Sequence, residues 1–254
     1  MLNLDNISIA FKKEEPVLSN VSLIVNKGEL ISILGSNGSG KSTLLKIVYG
    51  LFTPDNGKVI LDKVDITHLP SYRRASIVHY LEQSREQNLS PALTLMDIFM
   101  ITLSNNKAAW YFLRPNFWKQ RIINILEPLG LGLEYKLTQQ LKDFSGGEIQ
   151  SLSVVLMIEL IMQNINSNHI LLLDEHTAHL DNRLADKIMN ITMALVRTNK
   201  ITTVMVTHSI DAALANSDRI VVLRDHSIAA CFNMQENSSL SLKHSLKNRI
   251  LSMM

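Results

Sequence analysis

Long hydrophobic runs are missing from this chain of 254 residues. Its most extended apolar stretch, Val154 to Met162, is interrupted by Glu159 and falls far short of the ~18–20 residues that a membrane-spanning helix needs. No membrane span is expected. Residues 1–15 carry Asp5, Lys12, Lys13, Glu14 and Glu15 and have no apolar signal-peptide core. Cysteine occurs once, as Cys231, which excludes an internal disulfide, fits a reducing compartment and is expected to be a buried structural thiol. Charge of one sign is also scarce, with 25 Lys and Arg against 23 Asp and Glu and a formal net charge of +2. Without a basic block there is no electrostatic footprint for nucleic acid, and no nucleic-acid partner is expected. What is present is apolar material, 46% of residues, enough to fill the core of one large α/β domain or of a core domain with a subdomain.

The chain is organised around Gly35, Ser36, Asn37, Gly38, Ser39, Gly40, Lys41, Ser42 and Thr43. An apolar run, Leu30 to Leu34, precedes this stretch and Leu44-Leu45-Lys46-Ile47-Val48 follows it, so the context is strand, tight loop, helix. That is the setting of a phosphate-binding loop. Its glycines let successive backbone N–H groups form an anion nest at the positive end of the helix. Lys41 then reaches the β- and γ-phosphates and the Ser42 hydroxyl sits on Mg²⁺, which makes ATP with Mg²⁺ the expected ligand pair.

Around this loop the pattern predicts alternating strands over residues 2–11 and 21–25, and a hairpin over 57–66 turning at Asp62-Lys63. Residues 77–81 read as another strand. From about 84 to 165 the spacing is helical, with Leu95, Ile98, Phe99, Leu103, then Ile122, Ile125, Leu126 and Leu129. Ile170 to Leu173, Val204 to Val206 and Ile220 to Leu223 are apolar without alternation, as strands buried on both faces of a parallel sheet are; a helix over 183–197 separates the first two. In open α/β sheets ligands sit beyond the carboxyl ends of the strands, where Gly35, Gln83, Asp174, Glu175 and His208 all fall.

Asp174 and Glu175 offer two carboxylates with different work, one holding Mg²⁺ and one polarising the attacking water. An acidic pair after a strand can also be a plain helix cap, but beside a phosphate-binding loop an acid is required. Ser145, Gly146, Gly147 and Glu148 precede a long helix and read either as a second anion site or as a capping box, two readings that are compatible.

Taken in order, these motifs resemble the nucleotide-binding subunits of ABC transporters over about residues 2–232. Gly35–Thr43 resembles the Walker A motif, Ile170–Glu175 the Walker B motif with its catalytic glutamate, and Ser145–Glu148 the signature. The resemblance implies an ABC ATPase fold: an α/β core of mostly parallel sheet with a flanking antiparallel layer, and an inserted helical subdomain. It assigns residues 1–83 and 166–235 to the core, 84–165 to the helical subdomain and 236–254 to a tail. It also implies that Phe11 stacks on adenine, that Gln83 is the Q-loop glutamine touching the metal, and that His208 is the switch histidine. Phe11 can equally be core, and Gln87 competes with Gln83. His176 to Asp181 matches the D-loop region, although His176 stands where most members have proline. Asp174-Glu175-His176-Thr177-Ala178, Thr202–His208 and Gly130–Glu134 resemble a subgroup serving binding-protein-dependent importers, some for amino acids.

The resemblance further implies a head-to-tail dimer of two copies and a separate membrane permease, with a solute-binding protein as an indirect partner. The chain would then lie peripherally on the cytoplasmic face of the cell membrane. The competing class is a non-transport ABC ATPase such as the iron–sulfur cluster assembly ATPase, with which Ile149-Gln150-Ser151 and His176-Thr177-Ala178 disagree. The remaining histidines, His68, His79, His169, His176 and His179, lack metal-ligand spacing and are expected on the surface or in packing. The tail puts Leu242, Leu246, Ile250 and Met253 on one helical stripe, which either docks on the core or lies on a membrane. Five of the fourteen aromatics, Trp110, Tyr111, Phe112, Phe117 and Trp118, crowd one segment, expected to be part subdomain core and part docking surface.

Overall fold

The computed structural model describes residues 1–12, 15–82, 90–103, 115–163, 169–175, 177, 182–234 and 240–253, and these fall into two compact units. The first unit holds residues 1–82, 166–175 and 196–254; the second holds 83–165 and 176–195. Residues 176–195 therefore group with the helices, beyond the 84–165 segment expected from sequence.

In the first unit the strands are β1 (Leu2–Lys12), β2 (Glu15–Val25), β3 (Leu30–Leu34), β4 (Asn56–Leu61), β5 (Val64–Asp65), β6 (Val78–Leu81), β7 (Ile170–Asp174), β8 (Thr202–Val206), β9 (Arg219–Arg224) and β10 (Ser227–Asn233). They form two sheets, an antiparallel β2-β1-β4-β5 and a six-stranded β10-β9-β3-β8-β7-β6. In the larger sheet only β10 runs antiparallel to its neighbour. Every residue of β3, β6, β7 and β8 is buried, which is why these segments are apolar on both faces and do not alternate. Strands β1 and β4 have one covered face and do alternate. The hairpin turn at Asp62-Lys63 lies where expected, with both residues at positive φ (47° and 72°), the mirror-image turn that matches strand twist.

Strand β10 was not expected. It returns from β9 through Asp225-His226, also at positive φ (47° and 67°), a turn that carries no glycine and so gives a weak sequence signal. Cys231 lies on this edge strand and is exposed, so the expected buried thiol is incorrect; its side chain falls on the uncovered face while the neighbouring Phe232 packs inward.

The helices are α1 (Lys41–Tyr49), α2 (Ser71–Arg74), α3 (Leu95–Leu103), α4 (Pro115–Leu126), α5 (Gly146–Gln163), α6 (Asn182–Thr198), α7 (Ile210–Asn216) and α8 (Leu240–Met253). Arg74, fully buried, donates to the Ile47 and Val48 carbonyls at the end of α1 and to Leu69 and Thr67. A cation at the negative end of α1 satisfies its orphan carbonyls and anchors it. In α8, Leu246 and Ile250 pack on Ile210, Leu214, Phe232 and Met234, so the apolar stripe of the tail docks on the core. In the second unit Leu95, Ile98, Phe99, Leu103, Trp118, Ile122, Leu126 and Phe144 build a separate core.

Candidate functional site

The phosphate-loop sequence lies between the end of β3 and the start of α1. Gly40, at φ 96°, is the N-cap of α1; a Cβ there would meet the Val17 carbonyl at 2.6 Å and Leu18 at 2.5 Å, so only glycine fits this left-handed, tightly covered position. A Cβ on Gly35 would come within 2.3 Å of the Leu223 carbonyl. Helix α1 begins with no side-chain cap and no acidic residue in its first turn, which leaves its N–H groups for an anion. The Ser39 hydroxyl is buried and makes no hydrogen bond, an orphan that a phosphate oxygen would satisfy. Lys41 is buried and its ammonium donates to the Gly35 and Ser36 carbonyls at 3.0 and 2.8 Å. Burial pushes its pKa down, opposed by the nearby Glu175 and Asp174 carboxylates.

At the carboxyl end of β7 the Asp174 carboxylate accepts from Ser42 Oγ at 3.1 Å and from the Tyr80 phenol at 2.8 Å. A serine hydroxyl beside a buried carboxylate is a hard-oxygen donor set that fits Mg²⁺. Glu175 follows in the left-handed region (φ 48°), with its N–H bonded to the Val206 carbonyl at 3.0 Å. Held conformations of this kind at non-glycine residues concentrate at functional sites. Its Oε1 lies 2.6 Å from His208 Nε2, just beyond β8. The first unit thus brings together the loop, Asp174, Glu175 and His208, as the strand-end argument expected.

Phe11 is 57% exposed, with its ring edge-on to Phe52 at 5.1 Å. The core alternative for it is excluded, and the ring is available for stacking. Gln83 and Gln87 lie outside the described residues, as do His176, His179 and Asp181. Ser145 to Glu148 belong to the second unit, where the capping box is made in full. The Ser145 N–H donates to Glu148 Oε2 at 2.9 Å, the Glu148 N–H donates to Ser145 Oγ at 3.3 Å, and Lys136 pairs with the other carboxylate oxygen. Burial works to raise the Glu148 pKa, but hydrogen bonds from Lys136 and Ser145 hold it below the usual carboxylate value. Ser145 and Gly146 remain exposed. His79 and His169 are buried and hydrogen-bonded to each other at 3.0 Å, in packing as expected, and among the described residues no group of three metal-ligating side chains occurs. Sequence reasoning missed Tyr80 and Arg74. Tyr80 could have been found from its place on a strand ending beside the Asp174 strand; Arg74 left no signal, because its acceptors are all backbone carbonyls.

The family model described as ABC transporter matches residues 18–178. A tyrosine transport ATP-binding protein from Clostridioides difficile is 34% identical over 97% of this chain and 98% of its own length. The spermidine/putrescine import ATP-binding protein PotA of Escherichia coli is 33% identical over 89% of this chain, which spans 55% of that protein. Among solved structures, a dimeric ATP-binding cassette in a post-hydrolysis state with ADP and Pi superposes with a TM-score of 0.72 at 28% identity, covering 92% of this chain and 99% of that one. The ADP conformation of another ABC transporter cassette gives 0.74 at 25% identity, covering 100% and 97%. A loop built for phosphate, an acid pair at the end of β7, a family model that matches residues 18–178 and a relative matched over 98% of its own length place this chain in the ABC transporter ATP-binding family, as an ATPase on the ABC cassette fold.

Proposed function

We propose that this ATPase powers an importer of small amino-acid-type solutes, working with a separate membrane permease and, through it, a solute-binding protein. The observation that carries the reading is the convergence of Lys41, Ser42, Asp174, Glu175 and His208 at one strand-end site in a chain matched end to end by a tyrosine transport subunit. Among the described residues no helix is long and apolar enough to cross a membrane; in the proposed reading the solute path belongs to the permease and this subunit sits peripherally on its cytoplasmic side.

Within the site, the Gly35–Thr43 backbone and Lys41 hold the ATP phosphates. Ser42 and Asp174, with Gln83, hold Mg²⁺, which neutralises phosphate charge when bound. Glu175 takes the proton of the attacking water and His208 orients Glu175. Phe11 stacks on the base. Ser145, Gly146, Gly147 and Glu148 complete the site of a second, head-to-tail copy, a two-fold arrangement with two equivalent sites.

Reconstitution tests this. The chain with the permease from an adjacent gene, in vesicles, should hydrolyse ATP faster when solute-loaded binding protein is added and should accumulate labelled tyrosine or a related amino acid. ATP turnover that never depends on binding protein or permease would refute the importer reading.

A further inference from the structure

We infer that Tyr80 is a positioning residue for the Mg²⁺ site, its phenol fixing the carboxylate of Asp174; the inference rests on the ATPase reading above. Strands β6 and β7 are parallel and pair Tyr80 with Leu172. Asp174, two residues on, projects to the same face as Leu172, within diagonal reach of a long side chain from the neighbouring strand. Tyr80 is 2% exposed, and the Tyr49 ring of α1 packs against it at 5.4 Å. The ring is therefore held from outside the bond it makes.

The Asp174 carboxylate has two oxygens, and each is assigned. Oδ1 accepts from Ser42, a residue of the cation's own donor set, while Oδ2 accepts from Tyr80 in a buried bond of 2.8 Å. When the Ser42 oxygen turns to a cation, its hydrogen bond to Asp174 is no longer assured, whereas the phenol, which has no role toward the nucleotide, keeps the carboxylate plane from rotating. A phenol–carboxylate bond is charge-assisted. Partners that orient a metal-binding group from behind typically carry ~10–100-fold of metal affinity. Lys46 and Glu82, paired at 3.2 Å, add a second tie between α1 and the end of β6, so the phenol is referenced to the same helix that carries Ser42.

The test reads the metal directly. Mn²⁺ is titrated into the full chain holding a non-hydrolysable ATP analogue, and free Mn²⁺ is followed by electron paramagnetic resonance. Tyr80→Phe keeps the ring and removes the donor; it should weaken Mn²⁺ about tenfold, with nucleotide affinity in EDTA unchanged. Tyr80→Leu should weaken Mn²⁺ at least as much. Parental Mn²⁺ affinity in either variant overturns the inference, and a lowered melting temperature in EDTA with parental Mn²⁺ affinity assigns the phenol to packing alone. Asp174→Asn separates the two levels. If Asp174→Asn abolishes Mn²⁺ binding while Tyr80→Phe keeps the parental Mn²⁺ affinity, only the inference fails; if Asp174→Asn too binds as the parent does, the metal assignment of Asp174 fails with it.

Discussion

His208 Nε2 and Glu175 Oε1 stand 2.6 Å apart at the mouth of the site, with the imidazole 45% exposed and the carboxylate 15%. The contact sets the imidazole directly against the Glu175 carboxylate and restricts which way Glu175 faces. Under the proposed function, a carboxylate held in this manner would act on water that reaches the phosphate loop.

Glu175→Gln should therefore keep ATP affinity and lower turnover by about 10²–10⁴, trapping an ATP-dependent dimer visible by size-exclusion chromatography. His208→Ala should also lower turnover while leaving the KM for ATP near parental, because it removes the aim and not the phosphate contacts. A Glu175→Gln protein turning over at the parental rate would falsify the assignment.

The proposed composite site makes a second, independent demand. Ser145→Arg puts a bulky cation at the exposed start of α5, and Lys41→Ala strips the loop of its ammonium. Each variant alone should be inactive. A mixed dimer carries both defects in one site and none in the other, so mixing should restore activity toward half of the parental value per mixed dimer. Verified mixed dimers without any recovery would show that sites are not shared between copies.

Sequence alone made the site's residues and the buried strands legible, because both rest on local pattern. Gly35 to Ser42 is a contiguous loop, and β7 is a contiguous apolar run whose ends are marked by polar residues. What escaped was set by non-local packing. Tyr80 reaches Asp174 across 94 residues of sequence, and Arg74 reaches Ile47 across 27, distances over which periodicity says nothing. The β9–β10 hairpin escaped for a local reason, since Asp225-His226 adopts a conformation usually signalled by glycine or asparagine. Cys231 followed from that miss.

Glu159 gives a stability test with a definite sign. It lies on α5 and its pKa is raised above 4.5 by burial, against a smaller opposing pull from Arg121. The folded chain thus binds this proton more tightly than the unfolded chain, and stability falls with rising pH wherever that holds. The stabilisation is fully present below pH 4.5 and is lost as pH climbs through the raised folded value. Glu159→Gln removes that loss, so its melting temperature should exceed the parent's above the window, with the advantage shrinking as pH is lowered toward 4.5. A difference that is constant with pH would exclude the titration of Glu159 as its source.

The tail is expected to stabilise the core and to leave membranes alone. Leu246 and Ile250 are 7% and 0% exposed, and burial of each such side chain is worth roughly 1.5–3 kcal/mol. Lys247, which could have faced anionic lipid, pairs with Asp211 at 2.6 Å. Deleting residues 237–254 should lower the melting temperature by several degrees and leave vesicle binding unchanged. Loss of vesicle binding at an unaltered melting temperature would reverse this.

The aromatic segment divides along helix α4. Neighbouring positions on a helix point about 100° apart, and Phe117 and Trp118 show the consequence. Trp118 is fully buried among Leu95, Phe99 and Ile122, and Phe117 is 54% exposed with its ring edge-on to Trp118 at 5.8 Å. Of the aromatic cluster expected to be part core and part docking surface, Trp118 belongs to the core. Trp110, Tyr111 and Phe112 lie outside the described residues. Trp118→Ala removes a large ring from a packed interior and should cost about 3–5 kcal/mol, seen as a lower denaturation midpoint. Phe117→Ala leaves that interior closed and should cost under about 1 kcal/mol. If the exposed ring is the part that meets the permease, Phe117→Ala should reduce co-purification with the permease several-fold while ATP binding and melting temperature stay parental. Exposed aromatic anchors lose binding in that way when truncated. Parental co-purification by Phe117→Ala would leave α4 as a wall of the helical unit and place the permease contact elsewhere.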